Sequence, residues 1–418
     1  MNASSGRTGT DRKASLTAAP AAKIAPNAIR VARASPARVL TAPKQSWCHT
    51  SGSSDLGPGP GGADTLDRVK DAAADLPEPE VVGGIFGLEE PDWARNGHPQ
   101  HLDGEGMIFL VNARSGVALL VEVLRPRTVW LPSYLCQAVL DAVAGGPRTE
   151  FYEVTAELRL GSLEWVRRVE RGDLVVAIDY FGFPFESGWD EEARSRGAIL
   201  LRDAGQALLS TTKSLAADYH LYSPRKFLGV PDGGILTSNT ALDEAHEQLG
   251  EAPVEWWLDG LAATVLRRSF DRHGGAREWF ELFRRYEASA PMGRYRMSQV
   301  SRRIMEATDY ATVAERRVRN YGVLADLLGA IALFPELPAG VVPLGFPVRV
   351  PSRDRVRQAL FEREIYPAVH WPVPPGVPER FSEARTLAAE ALTLPCDQRY
   401  SPETMERIAR LVRSTLEQ

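Results

Sequence analysis

Three cysteines in 418 residues, Cys48, Cys136 and Cys396, are odd in number and far apart. They do not make a disulfide framework, and they point to a reducing compartment, the cytoplasm. No CxxC or HExxH pair occurs, and His98 with His101 has no third ligand type nearby, so no metal site is expected. Nowhere does an apolar run approach the roughly 20 residues that cross a bilayer, which excludes a membrane-spanning helix. Acids are scarce at the front, where residues 1–60 hold eight Lys/Arg but only Asp11 and Asp55. With a formal charge of −5 overall, the rest of the chain is strongly acidic, which argues against nucleic acid as a partner. What is present, 44% apolar and 25% charged residues, is the balance of a soluble globular protein long enough for two packed lobes.

Residues 1–80 are rich in Ala, Ser, Pro, Gly and Arg, show no hydrophobic periodicity and close on "GPGPGGAD". Burial there cannot offset the entropy of ordering, so a disordered basic extension is expected, with packed structure starting near Val81. A basic, acid-poor start also resembles a transit peptide, but no clear amphipathic helix forms in it.

From residue 107 onward short apolar runs alternate with amphipathic stretches. "MIFLV" (107–111), "TVWLP" (128–132), "DLVVAI" (173–178), "AILLRD" (198–203) and "GGILTS" (233–238) read as strands; "SGVALLVEVL" (115–124) and "YLCQAVLDAV" (134–143) read as helices. Nearly continuous apolar strands with helices between them predict an α/β fold, a mostly parallel sheet covered on both faces. A long helical stretch is expected over 298–330, its apolar face formed by Val300, Ile304, Met305, Ala311, Val318 and Leu324. A smaller C-terminal α+β part follows, ending on a helix opened by "SPET", with proline at the first helical position. The expected division is 1–80, a large domain over 81–295, and the long helix and small domain over 296–418.

Three features converge on one chemistry. Asp203 in "DAGQAL" ends an apolar strand, where a desolvated carboxylate must face a cation or take a proton. Lys226 follows 23 residues later in "YSPRKFLGVPDGG", preceded by Ser223. "NARSGVALL" (112–120) is a polar turn feeding a helix N-terminus, where free N–H groups and the Ser115 hydroxyl can hold a phosphate. Singly, these are a turn, a solvated lysine and a helix cap. Together, in this order beside strand ends, they are the three handles of pyridoxal 5′-phosphate: an acid for the ring nitrogen, an amine for the aldehyde, a cradle for the phosphate.

From about residue 82 to 416 the chain resembles the DegT/StrS-type family of pyridoxal-phosphate aminotransferases, of the aspartate-aminotransferase fold (fold type I). The resemblance lies in "RDAGQAL", "YSPRKFLGVPDGGIL", "IDYFGFP", "GRYRMS" (293–298) and "LTLPCDQRYSPETMERI". It implies that Lys226 carries the cofactor and moves protons, that Asp203 pairs with the pyridinium nitrogen, and that Gln206 bonds near the ring hydroxyl or phosphate. It further implies phosphate contacts from Ser115, Gly116 and Ser223, Tyr134 against the ring face, and Arg294, at the family's asparagine position, reaching a partner subunit's cofactor in a homodimer. Pro-Asp-Gly-Gly replaces the family's Gly-Glu-Gly-Gly, and Asp179 stands where the strand histidine is usual. The implied activity is a transaminase moving an amino group from an amino acid, plausibly glutamate, to a keto substrate such as a keto-sugar nucleotide. A lyase, decarboxylase or cyclising enzyme on the same cofactor, and a cofactor-binding relative without turnover, are the alternatives. His370 in "AVHW" is a candidate to approach the site from the small part. The basic run "RRSF…FRRYE" reads as a solvated helix face, and Trp256–Trp257 as core or interface.

Overall fold

Apolar strands that end in polar residues set the architecture. A computed structural model describes residues 81–99, 102, 106–212, 217–238 and 248–418; the expected extension over 1–80, Cys48 and His101 lie outside them. After a short strand β1 (Val82–Gly83), the chain builds β2 (Met107–Leu110), α1 (Ala113–Leu124), β3 (Thr128–Pro132), α2 (Gln137–Val143), β4 (Arg148–Tyr152) and β5 (Leu174–Ile178). It continues through α3 (Asp190–Ser195), β6 (Ile199–Asp203), β7 (Tyr219–Tyr222) and β8 (Gly234–Ser238).

Strands β2 to β8 form one seven-stranded sheet in the order β2-β8-β7-β6-β5-β3-β4. Strands β3 to β7 pair in parallel, and β8 is antiparallel to both β2 and β7. The sheet is therefore mixed, with a single reversed strand. All five residues of β5 are buried, the pattern of a strand covered on both faces. Helix α1 lies close on the sheet because position 116 is glycine: a Cβ there would meet Leu221 Cδ1 at 2.4 Å.

Two strands of this sheet escaped the sequence reading. "RTEFY" (β4) carries three polar residues on an edge strand, and "YHLY" (β7) is too short to show a period.

The stretch after β8 is a helical hairpin, α4 (Val254–His273) and α5 (Glu278–Ala288). It corrects the solvated-face reading of "RRSF…FRRYE" in part, since Arg284 and Arg285 are exposed as expected but Arg267 is not. Arg267 is fully buried, with its Nε on Asp271 at 2.7 Å and its guanidinium 4.7 Å from the Trp279 ring. Trp256 is core, stacked on Tyr286 with ring centroids 4.5 Å apart.

The long helix expected over 298–330 is two helices, α6 (Gln299–Glu306) and α7 (Tyr310–Leu328). Asp309 breaks it by capping α7, its side chain accepting from Thr312 N at 3.2 Å. Ile304, Met305 and Leu324 are buried as expected, whereas Val300 and Val318 are each 39% exposed and Ala311 is exposed.

The smaller C-terminal α+β region comprises β9 (Phe346–Arg349), α8 (Arg353–Phe361), β10 (Ile365–Tyr366), α9 (Ser382–Glu390), β11 (Ala391–Leu394) and α10 (Pro402–Leu416). Here β9 pairs antiparallel with β11, and β10 with β1 in parallel. Ser401 caps α10 by accepting from Thr404 N, with Pro402 at the first helical position. Ser401→Ala should lower stability by about 1 kcal/mol, read as a lower urea midpoint with an unchanged slope; no change would show that water replaces the cap at no cost.

Candidate active site

Five strand ends deliver the side chains. The segments after β2, β3 and β7, and the last residue of β6, open on one cavity of about 760 Å³ lined by Asn112, Ala113, Arg114, Cys136, Asp203, Gly205, Ser223, Arg225 and Lys226. The end of β5 supports it from below, at Asp179. A ligand site beyond the carboxyl ends of parallel strands is where an α/β sheet places one. The far walls come from elsewhere in the chain: Gly83 to Phe86, Tyr286 and Glu287 of α5, and His370, Trp371 and Arg399 of the C-terminal region.

Lys226 is held by its neighbours in sequence. Tyr219, Leu221 and Tyr222 of β7 are buried before it and Phe227 and Leu228 after it, so Ser223 to Lys226 forms one tight turn between two anchors. Lys226 N donates to Ser223 O at 3.2 Å. Asp203 ends β6 beside it, its Oδ1 accepting from Gly205 N at 2.9 Å. A methyl group on Gly205 would lie 2.9 Å from Asp203 Oδ1 and 3.7 Å from Lys226 Nζ, so amine and carboxylate face each other across a glycine that keeps the gap open. Burial pushes the Asp203 carboxyl up, while the Lys226 amine and the Gly205 N–H pull it down.

Neighbouring residues of β6 point to opposite faces. Arg202 therefore projects away from the cavity and donates its Nε to Asp179, whose other oxygen accepts from Phe185 N at 3.0 Å. Burial lifts the Asp179 carboxyl to about 6, opposed by Arg202. Asp179 is thus spent on a buried ion pair beneath the site. Asp232, the acid of "PDGG", is fully buried; it accepts from Ser298 N at 2.7 Å and from the Ser298 and Ser301 hydroxyls, tying the loop after Lys226 to the start of α6.

Several expected contacts take other positions. Ser115 and Gly116 do not line the cavity. Asn112 caps α1, and its Oδ1 accepts from both Ser115 N and Ser115 Oγ at 3.0 Å, so the helix begins two residues earlier than expected and presents Ala113 and Arg114 instead. Tyr134 is also off the cavity wall, packed on Tyr180 and Trp371 with centroids 5.8 and 5.5 Å away, whereas Cys136, two residues on, lines the cavity. Burial pushes the Cys136 thiol up, with the Lys226 amine opposing. Arg294 turns to Glu122, Nε to Oε1 at 3.0 Å, and is not on the wall either. Gln206 Oε1 accepts from Phe181 N at 2.7 Å, leaving its buried Nε2 without an acceptor.

His370 does approach the site: it lines the cavity, and its Nδ1 is 2.9 Å from Thr393 Oγ1. Burial and the Lys226 amine push it down to about 3, so the ring is neutral near pH 7. Between pH 6.5 and about 3 the unfolded chain takes up a proton that native His370 refuses, so stability falls as pH falls through that window. His370→Gln should flatten the decline in urea midpoint between pH 7 and 4; parallel curves for both proteins would exclude the effect.

Arg114, Arg225, Tyr286 and Glu287 also line the cavity, and the sequence reading did not point to them. Only the lysine-adjacent position of Arg225 could have flagged any of them.

Among the described residues no helix is long and apolar enough to cross a membrane, and no cluster of His, Cys, Asp or Glu could hold a metal ion. No protein-family model matches the chain, and no curated protein sequence does. Solved structures do match in fold. An aminotransferase involved in pseudoaminic acid biosynthesis, PseC of Helicobacter pylori, superposes with a TM-score of 0.58 at 14% identity over 81% of this chain and 99% of that one. The aminotransferase TlmJ of Streptoalloteichus hindustanus gives 0.55 at 21% identity over 85% and 96%. A DegT DnrJ EryC1 StrS aminotransferase of Brucella abortus gives 0.54 at 16% identity over 75% and 87%. The chain shares their fold.

Proposed function

We propose that the protein is a divergent DegT/StrS-type enzyme, a pyridoxal-phosphate-dependent transaminase that moves an amino group from an amino acid to a ketone. The observation that carries this reading is the pairing of Lys226 and Asp203 across Gly205 on one cavity wall. The donor set on the cavity wall suits the cofactor: an amine, a carboxylate in a desolvated position and a helix N-terminus flanked by arginines. Lys226, Asp203 and Ser223, which line the cavity, are assigned the roles expected of them, whereas Gln206 does not line it. Ala113 and Arg114 take over from Ser115 and Gly116 at the phosphate, and Cys136 takes the place intended for Tyr134 on the wall. The domain division at 81–295 and 296–418 belongs to the same reading, as does a homodimer.

When bound, pyridoxal phosphate supplies an electron sink for the carbon that bears the amino group. The chain supplies everything else. Lys226 Nζ would hold the cofactor through its aldehyde, and as a free amine it would accept and return a proton. Asp203 keeps a negative charge where a ring nitrogen must stay positive. Trp371 and the buried Tyr134–Tyr180 rings behind it keep water from that wall.

The test is the absorbance spectrum of the purified protein with pyridoxal phosphate, before and after excess glutamate. A visible band that borohydride fixes to Lys226, and that glutamate converts to the pyridoxamine form, supports the reading. A band that glutamate leaves unchanged points to a binder without turnover. Carbon dioxide or an alkene product instead of an amine on the added ketone points to a lyase or decarboxylase.

A further inference from the structure

We infer that the phosphate of the cofactor is gripped in cis by Arg114 and Arg225, and that Glu287 is a built-in competitor for both guanidinium groups. The inference rests on the cofactor reading above and adds to it the origin and tuning of the anion site.

Arg114 lies in the first turn of α1, and Arg225 precedes Lys226. Both line the cavity beside Asn112, Ala113 and Ser223. Both also reach the same carboxylate: Arg114 Nη2 is 3.5 Å from Glu287 Oε2, and Arg225 Nη2 is paired with Glu287 Oε1. Arg225 is fixed further by the face of Tyr286, 4.7 Å from its guanidinium carbon, and Tyr286 in turn donates its hydroxyl to Pro231 O at 2.7 Å. Burial pushes the Glu287 carboxyl up, but Arg225 and Arg114 outweigh it and hold it below its ordinary value, so Glu287 is ionised.

Two cations on one carboxylate leave one positive charge uncancelled, next to a helix N-terminus that adds a fraction of another. The arrangement supplies more than one, and fewer than two, of the positive charges that a phosphate dianion asks for. Arginine forks suit phosphate and carboxylate alike, so Glu287 occupies donors that an arriving phosphate would use. It preorders the cradle and weakens it at the same time. Arg294, expected to bring a cation from a second copy, is instead committed to Glu122 of its own chain.

The experiment titrates the full chain with pyridoxal 5′-phosphate and, separately, with unphosphorylated pyridoxal. Arg225→Gln should raise the dissociation constant for the phosphorylated form tenfold or more, on the order expected for a charged hydrogen bond, and leave that for pyridoxal unchanged. Arg114→Gln, removing the cation held more loosely at 3.5 Å from Glu287, should do the same to a smaller degree. Glu287→Gln should shift the constant the other way, tightening the phosphorylated form several-fold with pyridoxal unchanged. Pyridoxal is the internal control, since a misfolded chain binds neither ligand. A wild-type preference for the phosphorylated form that survives both arginine changes, or a Glu287→Gln protein that binds it more weakly, overturns the inference while the cofactor reading stands. A wild-type chain that forms no adduct with either ligand removes the cofactor reading itself.

Discussion

Lys226→Ala is expected to abolish the glutamate half-reaction, with a loss of at least ~10⁴-fold, because one side chain carries two duties, nucleophile and proton carrier. The geometry explains why no other group takes over. Within the described part of the cavity the remaining cations are arginines, which stay protonated and cannot accept a proton at neutral pH. His370 is neutral, yet its Nδ1 is engaged with Thr393. The check is twofold. Borohydride reduction followed by peptide mass mapping should mark Lys226 in the wild type and nothing in the variant. Stopped-flow absorbance with excess glutamate should then show the pyridoxamine form rising in the wild type alone. Methylamine is expected to restore part of the rate, since a small amine fits the space the lysine leaves and can carry the proton. A variant that keeps more than a hundredth of the wild-type rate without added amine would put the proton carrier elsewhere.

The strands that seat these residues were legible because burial on both faces forces unbroken apolar runs: "LVVAI" and "ILLRD" could hardly be anything but inner strands, and their polar ends had to mark the functional edge. Asp203 was found for that reason, whereas Lys226 follows the unread strand β7 and stood out only through its motif, "YSPRKFLGVPDGG". The start of α1 was misplaced by two residues for an equally physical reason. A helix start is set by whichever side chain caps it, and "NARSG" offers both Asn112 and Ser115; Asn112 takes the cap and consumes the Ser115 hydroxyl as well. Tyr134 and Cys136 differ only in which way a short loop between β3 and α2 turns, and no local pattern encodes that. Least legible was the α4–α5 hairpin. Its charges looked solvated because nothing in a helical repeat reveals that the Arg267–Asp271 pair will be buried against Trp279 on the next helix, or that Glu287 will find two arginines more than 60 positions away in sequence. Long-range charge pairing is decided by the fold, after the local choices are made.

Asp203→Asn isolates the charge from the shape. Asparagine keeps the size of the side chain and an oxygen to accept from Gly205 N, so the turn after β6 should survive and the cofactor should still bind. What is lost is a negative charge in a desolvated position, where it acts at far lower effective dielectric than in water. Removing one such preorganised electrostatic partner costs typically ~10²–10³-fold in rate, and that is the expected drop for the half-reaction with glutamate. The decisive control is a cofactor methylated at the ring nitrogen, which carries its positive charge permanently and does not need the carboxylate to keep it. In the Asp203→Asn protein this analogue should recover most of the lost rate, and in the wild type it should gain nothing. Asp203 acts through charge if that rescue is seen. If the natural cofactor instead turns over in Asp203→Asn within threefold of wild type, the carboxylate serves only the turn, and the pairing of an amine and an acid across Gly205 loses its chemical meaning.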